Sequence, residues 1–158
     1  MQMKMIVLLA LFTSASFILA EDIPVENLKD VVMKELHNVK VQVAMECAAV
    51  YPVENSTIRQ IMTHDGIPDN QEVKCWLSCV LRNMGIINNG KVDWKKAIEL
   101  NKMVLKSDED KVKIDQIFEI CKKEVEQDED ECQLAYNIAI CKFKYGKELE
   151  LPNGTWEE

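Results

Sequence analysis

Residues 132–143 read CQLAYNIAICKF. From Leu134 to Phe143, apolar side chains occupy almost every side of a helical wheel. A helix without a polar face is normally surrounded by protein, so this segment is expected at the centre of the fold. Its two cysteines are nine residues apart. That separation is about 13.5 Å along a helix and about 900° of rotation, so the two sulfurs leave opposite sides and cannot bond to each other. The helix is therefore stapled on both flanks, and the rest of the chain must supply the staples and the packing.

Outward from this segment the periodicity is helical nearly everywhere, and Gly and Pro are scarce, at five and four. A first helix is expected from Pro24, a favoured first-turn residue, through Val25, Leu28, Val31, Val32, Leu36, Val39, Val43, Ala44 and Cys47 to Pro52. The β-branched cluster Val39–Val43 predicts a bend or break within it. A short helix follows over about Glu54–His64, with Gly66 as its stop. Asp69 stands three residues before Glu72, the spacing of a capping box with an acid as cap. It opens a third helix carrying Trp76, Leu77, Val80 and Leu81.

Asn88-Asn89-Gly90 marks a turn, and Asp93 caps a fourth helix with Trp94, Ala97 and Ile98. The fifth has Ser107 as cap, Asp108, Glu109 and Asp110 in its first turn, and Lys122 and Lys123 at its end. That charge order suits the helix dipole. Its stripe is Ile114, Ile117, Phe118 and Cys121. Asp128 and Glu131 repeat the capping spacing for the sixth helix, which is expected to stop at Tyr145 before Gly146. No segment of useful strand length shows two-residue alternation.

The first twenty residues, MQMKMIVLLALFTSASFILA, have one charge, Lys4, then an apolar core and small residues. This is the pattern of a secretory signal peptide cleaved after Ala20, with Ser16 as an alternative. The uncharged run Met5–Ala20 has 16 residues, short of the roughly 20 a spanning helix needs. The expected domain is then 21–158, soluble and secreted into extracellular fluid. The chain's net charge is −8, which disfavours nucleic-acid binding through phosphates and gives no attraction to anionic membranes. Sequons at Asn55 and Asn153 are candidate glycosylation sites.

All six cysteines, at 47, 75, 79, 121, 132 and 141, follow the leader, so three disulfides are expected. Cys75 and Cys79 share a helix face with Cβ atoms about 5–6 Å apart, beyond the roughly 3.5–4.5 Å a disulfide spans. Excluding 75–79 and 132–141 leaves about ten of the 15 pairings six cysteines allow. Spacing alone goes no further.

The spacing C-x27-C-x3-C-x41-C-x10-C-x8-C, with QEVKCWLSCVLRNMGII, NNGKVDWKKAIEL and CQLAYNIAICKF, resembles the insect odorant-binding proteins of the six-cysteine type. The likeness covers about Pro24–Phe143, whereas the long first helix and the tail after Cys141 depart from the pattern. It implies an all-α, six-helix, disulfide-stapled domain enclosing an apolar cavity. It also implies the pairs Cys47–Cys79, Cys75–Cys132 and Cys121–Cys141. Three staples let such a domain tolerate a hollow core, at roughly 2–4 kcal/mol each.

The family's ligand lies among helices one, four, five and six. Carried onto this chain, that position implies a site of Val41, Ala44, Trp94, Ala97, Ile98, Ile114, Ile117, Phe118, Tyr136, Ala139, Ile140 and Phe143. Asn101 and Tyr136 are candidate polar contacts, and Asn137 is expected to face outward. The implied function is a secreted, non-catalytic carrier of odorants, pheromones or related lipophiles, serving olfaction and sensory transduction, with a membrane receptor downstream. It needs no cofactor and acts as a monomer or weak homodimer.

An alternative within the fold is a salivary, venom or reproductive-fluid carrier that sequesters amines, eicosanoids or hormones. A signalling ligand using Trp156 and the acidic tail is a rival outside it. A secreted esterase or phospholipase is another: His64-Asp65 matches the His-Asp pair of secreted phospholipases, but the flanking cysteines and Gly-rich calcium loop are missing. The bland reading of His64 is a surface turn. Two histidines and six committed cysteines leave no zinc site of the usual spacing. The tail 144–158 has two readings, a disordered end or a lid in which Leu149 and Leu151 lie extended over the pocket and Pro152 turns the chain away. With so few histidines, an acid response of that lid is expected from carboxylates, near pH 4–5.

Overall fold

The computed structural model describes residues 25–152, with side chains described from residue 30. The expected leader and its expected cleavage site, Pro24, the side chains of Val25 and Leu28, the Asn153 sequon and Trp156 lie outside these residues. The chain divides into two compact units, 1–32 and 33–158. Six helices occur among the described residues: α1 Val25–Val50, α2 Asn55–Met62, α3 Gln71–Asn83, α4 Trp94–Lys102, α5 Asp108–Glu124 and α6 Glu131–Glu148.

Helix α1 runs unbroken through Val39–Val43, against the expected bend. Each β-branched residue costs only a few tenths of a kcal/mol in a helix. Lys40 and Gln42 intervene, and Gln42 bonds one turn ahead to Glu46 at 2.8 Å. Its apolar residues are unevenly used: Ala44 and Cys47 are buried, whereas Val31, Val32 and Val39 are exposed.

Between α3 and α4 lies a minimal hairpin that the sequence reading missed, β1 Ile87–Asn88 and β2 Lys91–Val92, with Ile87 opposite Val92. Asn89 and Gly90 have φ of 51° and 70°. These are the left-handed conformations of a two-residue hairpin turn, for which Asn-Gly is the favoured pair. Two-residue strands are too short to show alternation.

Two expected caps are found: Asp93 accepts from Lys96 N–H at 2.9 Å and Ser107 from Asp110 N–H at 3.4 Å. Two others shift. Asn70, not Asp69, caps α3, accepting from Val73 N–H at 2.9 Å, while Asp69 pairs with Lys74 at 2.7 Å. Asp130, not Asp128, caps α6, accepting from the N–H groups of Cys132 and Gln133. Asp128 instead accepts from Asp130 N–H.

The buried residues form two clusters within 33–158. The first gathers Ala44, Ile58, Trp76, Ile87, Leu134 and Ile138 from α1, α2, α3, the hairpin and the first half of α6. Trp76 is fixed there by a 2.9 Å hydrogen bond from its indole N–H to the Ala44 carbonyl. The second gathers Ile86, Ala97, Ile114, Ile117, Phe118, Cys121 and Cys141, chiefly from α4, α5 and the second half of α6. Leu81, Val92, Trp94 and Val125 pack against both. Helix α6 thus holds the expected central place, and no residue of 131–143 is fully exposed. The disulfides are Cys47–Cys79, Cys75–Cys132 and Cys121–Cys141, the set implied by the resemblance.

Candidate functional site

Helix α6 is fastened at both ends and on opposite sides. At its start, Cys132 is bonded to Cys75 of α3, Ser78 donates to Glu131 at 2.9 Å, and Lys74 donates to Gln133 at 2.9 Å. Nine residues later Cys141 is bonded to Cys121 of α5. Leu134, Ala135 and Ile138 are buried in the first cluster. The apolar residues Ile140 and Phe143 are only partly buried and belong to neither cluster.

The other expected pocket residues divide accordingly. Ala44 is in the first cluster, with Tyr136 and Ala139 against it. Ala97, Ile114, Ile117 and Phe118 are in the second, with Ile98 against it. Trp94 touches both clusters and meets Phe118 edge-on, with ring centroids 6.4 Å apart. Val41, on α1, is partly buried and in neither cluster. Of the polar candidates, Asn101 donates its amide to its own helix at Ala97, 2.8 Å away, and Tyr136 lies under the Lys74 ammonium. Asn137 is partly buried rather than outward-facing, and accepts from Gln133 at 2.7 Å.

The end of α6 departs from the expected form. The helix runs through Gly146 to Glu148. Leu149 and Leu151 are not extended: Glu150 takes φ 51°, its N–H bonds to the Lys147 carbonyl, and the Leu151 N–H bonds to the Gly146 carbonyl at 2.8 Å. These two bonds around a left-handed residue make a Schellman cap. Through it Leu149 and Leu151 pack against the second cluster, and this docking carries the helix past the glycine.

A similar cap closes α2, with His64 as the left-handed residue at φ 59° and Asp65 N–H bonded to the Gln60 carbonyl at 2.9 Å. This turn leaves His64 partly buried and brings it against α6. Together with Lys142, Phe143, Gly146, Lys147 and Leu151 it lines a recess of about 20 Å³, room for roughly one water. A side chain at Gly146 would meet nothing within 4 Å.

Burial, then the nearby Lys142 charge, depress the His64 pKa to about 4 against the opposing pull of Asp65. Burial, then the charge of Lys40, lower Lys142 to about 8, and burial lowers Lys40 as well. Sequence reasoning missed this cationic corner. Its signal was Lys142 itself, the only charge between Leu134 and Phe143 in a helix otherwise lacking a polar face. Among the described residues, no group of acids, cysteines and histidines is arranged to hold a metal ion, and no helix is long and apolar enough to cross a membrane.

The fold is shared with solved structures. A Drosophila melanogaster odorant-binding protein, dmelOBP28a, matches with a TM-score of 0.63 at 22% identity, covering 75% of this chain and 98% of that one. Odorant binding protein 5 of Apis mellifera matches at 0.64 and 19%, covering 73% and 93%. Odorant binding protein 4 of Chrysopa pallens gives 0.59 and 23%, covering 75% and 96%. In sequence, general odorant-binding protein 19d of Drosophila melanogaster is 35% identical over 71 residues, 44% of this chain. The matched stretch spans about half, 47%, of that relative's length. The family model described as PBP/GOBP matches residues 29–145, and the chain belongs to that family.

Proposed function

We propose that this protein carries a small hydrophobic molecule through an aqueous extracellular fluid. Ligand would be held in an apolar cavity bordered by Val41, Trp94, Phe118, Ile140 and Phe143, with the other residues of the expected site behind them. The observation that carries this reading is on α6: in a helix with no exposed residue from 131 to 143, Ile140 and Phe143 remain only partly buried and unclaimed by either cluster. Apolar side chains there gain by covering a ligand, at about 25 cal/mol per Å² before ordering costs.

Family membership supports carriage over catalysis, since odorant-binding proteins are carriers rather than enzymes. An odorant or pheromone is the ligand class we favour. Delivery to a membrane receptor, and action as a monomer or weak homodimer, complete the proposal. The leader-like residues 1–20 support secretion, and the exposed Asn55 at the start of α2 is a candidate glycan site.

The test is displacement of a fluorescent hydrophobic probe by long-chain alcohols and esters. Affinity in the micromolar range is expected, about −8 kcal/mol. Failure to bind any probe, with all three disulfides intact, would refute carriage.

A further inference from the structure

The corner formed by Lys40, His64 and Lys142 is not accounted for by apolar carriage alone. In a chain where acids outnumber bases by 27 to 19, two lysines, Lys40 of α1 and Lys142 of α6, lie near enough for the charge of one to depress the other's pKa. Neither has a carboxylate at ion-pair distance among the described residues. Both are partly buried, and holding like charges together away from water is unfavourable until an anion joins them. The adjoining recess is lined by polar His64, Lys142 and Lys147 and by apolar Phe143 and Leu151 beside Gly146. Leu151 also packs on the second cluster, so the apolar lining continues toward the core.

We propose that this recess takes the carboxylate head of a fatty-acid-like amphiphile, with Lys142 as its counter-charge, Lys40 reinforcing it, and Phe143 and Leu151 covering the first methylenes. One carboxylate oxygen would take the room the recess offers, roughly that of one water, and the rest of the head would lie at its mouth. This inference rests on the carrier reading and narrows it to an acid-headed ligand. At neutral pH His64 is uncharged and can donate one ring N–H to a carboxylate oxygen, while Lys142 is mostly protonated. The charged and titratable groups facing Lys142 are Lys40 of α1, His64 and Asp65 of the α2 turn, and Lys147 on its own helix.

Dodecanoate, dodecanol and methyl dodecanoate are compared by probe displacement on the intact, oxidised protein. Dodecanoate should bind about tenfold tighter than the alcohol at pH 7. Lys142→Met should remove most of that preference, leaving dodecanol within about twofold of its original affinity. In the unaltered protein, dodecanoate affinity should fall as pH rises past about 8, where Lys142 loses its proton, while dodecanol affinity stays flat. If Lys142→Met does not fold, Lys40→Met and the pH comparison decide. Equal binding of acid and alcohol, or an equal loss of both in the variant, would overturn the acid-headed ligand and leave the carrier reading standing. Binding of none of the three would overturn both.

Discussion

Replacing Cys121 and Cys141 together by alanine isolates one staple in a way the structure makes quantitative. The bond closes a sequence separation of 20 residues, and neither other disulfide offers a shorter covalent path between its ends. Loop-closure entropy for that length is about 11 cal/mol/K, or about 3.3 kcal/mol at 25 °C. Both sulfurs lie in the second cluster, Cys121 at 0% and Cys141 at 7% exposure. Removing them also leaves a small void between α5 and α6, worth about 1 kcal/mol. The double variant should therefore lose about 4 kcal/mol in urea unfolding monitored without reductant. A loss below about 1 kcal/mol would refute the reasoning, because the unfolded chain would then already hold these helices together through Ile114, Ile117 and Phe118.

Asn70→Ala should cost about 1 kcal/mol by removing the α3 cap, whereas Asp69→Ala, which breaks only a surface pair, should cost less than about 0.5; parallel urea curves distinguish the two. Glu150→Gly should stabilise by about 0.5 kcal/mol, since glycine relieves the left-handed strain at the α6 cap at a smaller entropic cost; thermal unfolding would reveal the opposite sign. His64 binds its proton less readily folded, at about 4, than unfolded, at 6.5. Its contribution to stability is thus complete above pH 6.5 and is lost as pH falls toward 4. His64→Asn, which tolerates the same backbone conformation, should flatten that acid limb in stability-versus-pH curves. Truncation after Gly146 removes Leu149 and Leu151 from the second cluster and should speed ligand dissociation in stopped-flow measurements. Unchanged rates would show that the capped tail does not gate release.

Much of this architecture was legible because its signals are local or covalent. The apolar wheel of residues 134–143 required a central helix, and the nine-residue gap between Cys132 and Cys141 required staples on both sides. The cap at Asp93 could be read because it is the one suitable residue at its helix start, and that at Ser107 because the acids behind it, Asp108, Glu109 and Asp110, fit the first turn. The misplaced caps occur where neighbouring polar residues compete, Asp69 with Asn70 and Asp128 with Asp130. There side-chain partners settle the choice: Lys74, one turn into α3, draws Asp69 away, and Ser78, 53 residues distant in sequence, engages Glu131. The end of α6 was misread for the same reason, because docking of Leu149 and Leu151 outweighs the breaking tendency of Gly146. The meeting of Lys40, His64 and Lys142 depends on how α1 and the α2 turn approach α6. No periodicity within one segment reports that approach.

The three disulfides interlace: Cys75 lies inside the span 47–79, and Cys121 lies inside 75–132, with Cys132 inside 121–141. Every peptide bond between Cys47 and Cys141 is therefore bridged by at least one sulfur pair. A protease that cuts once, for instance at the exposed Met103–Val104 segment between α4 and α5, leaves a single covalent molecule with its clusters still gathered. Between Cys47 and Cys141, two cuts are needed before a fragment can leave, and only if they fall within the same interval between successive cysteines. Durability against digestion is thus written into the order in which six sulfurs are paired, independently of how tightly the interior is filled.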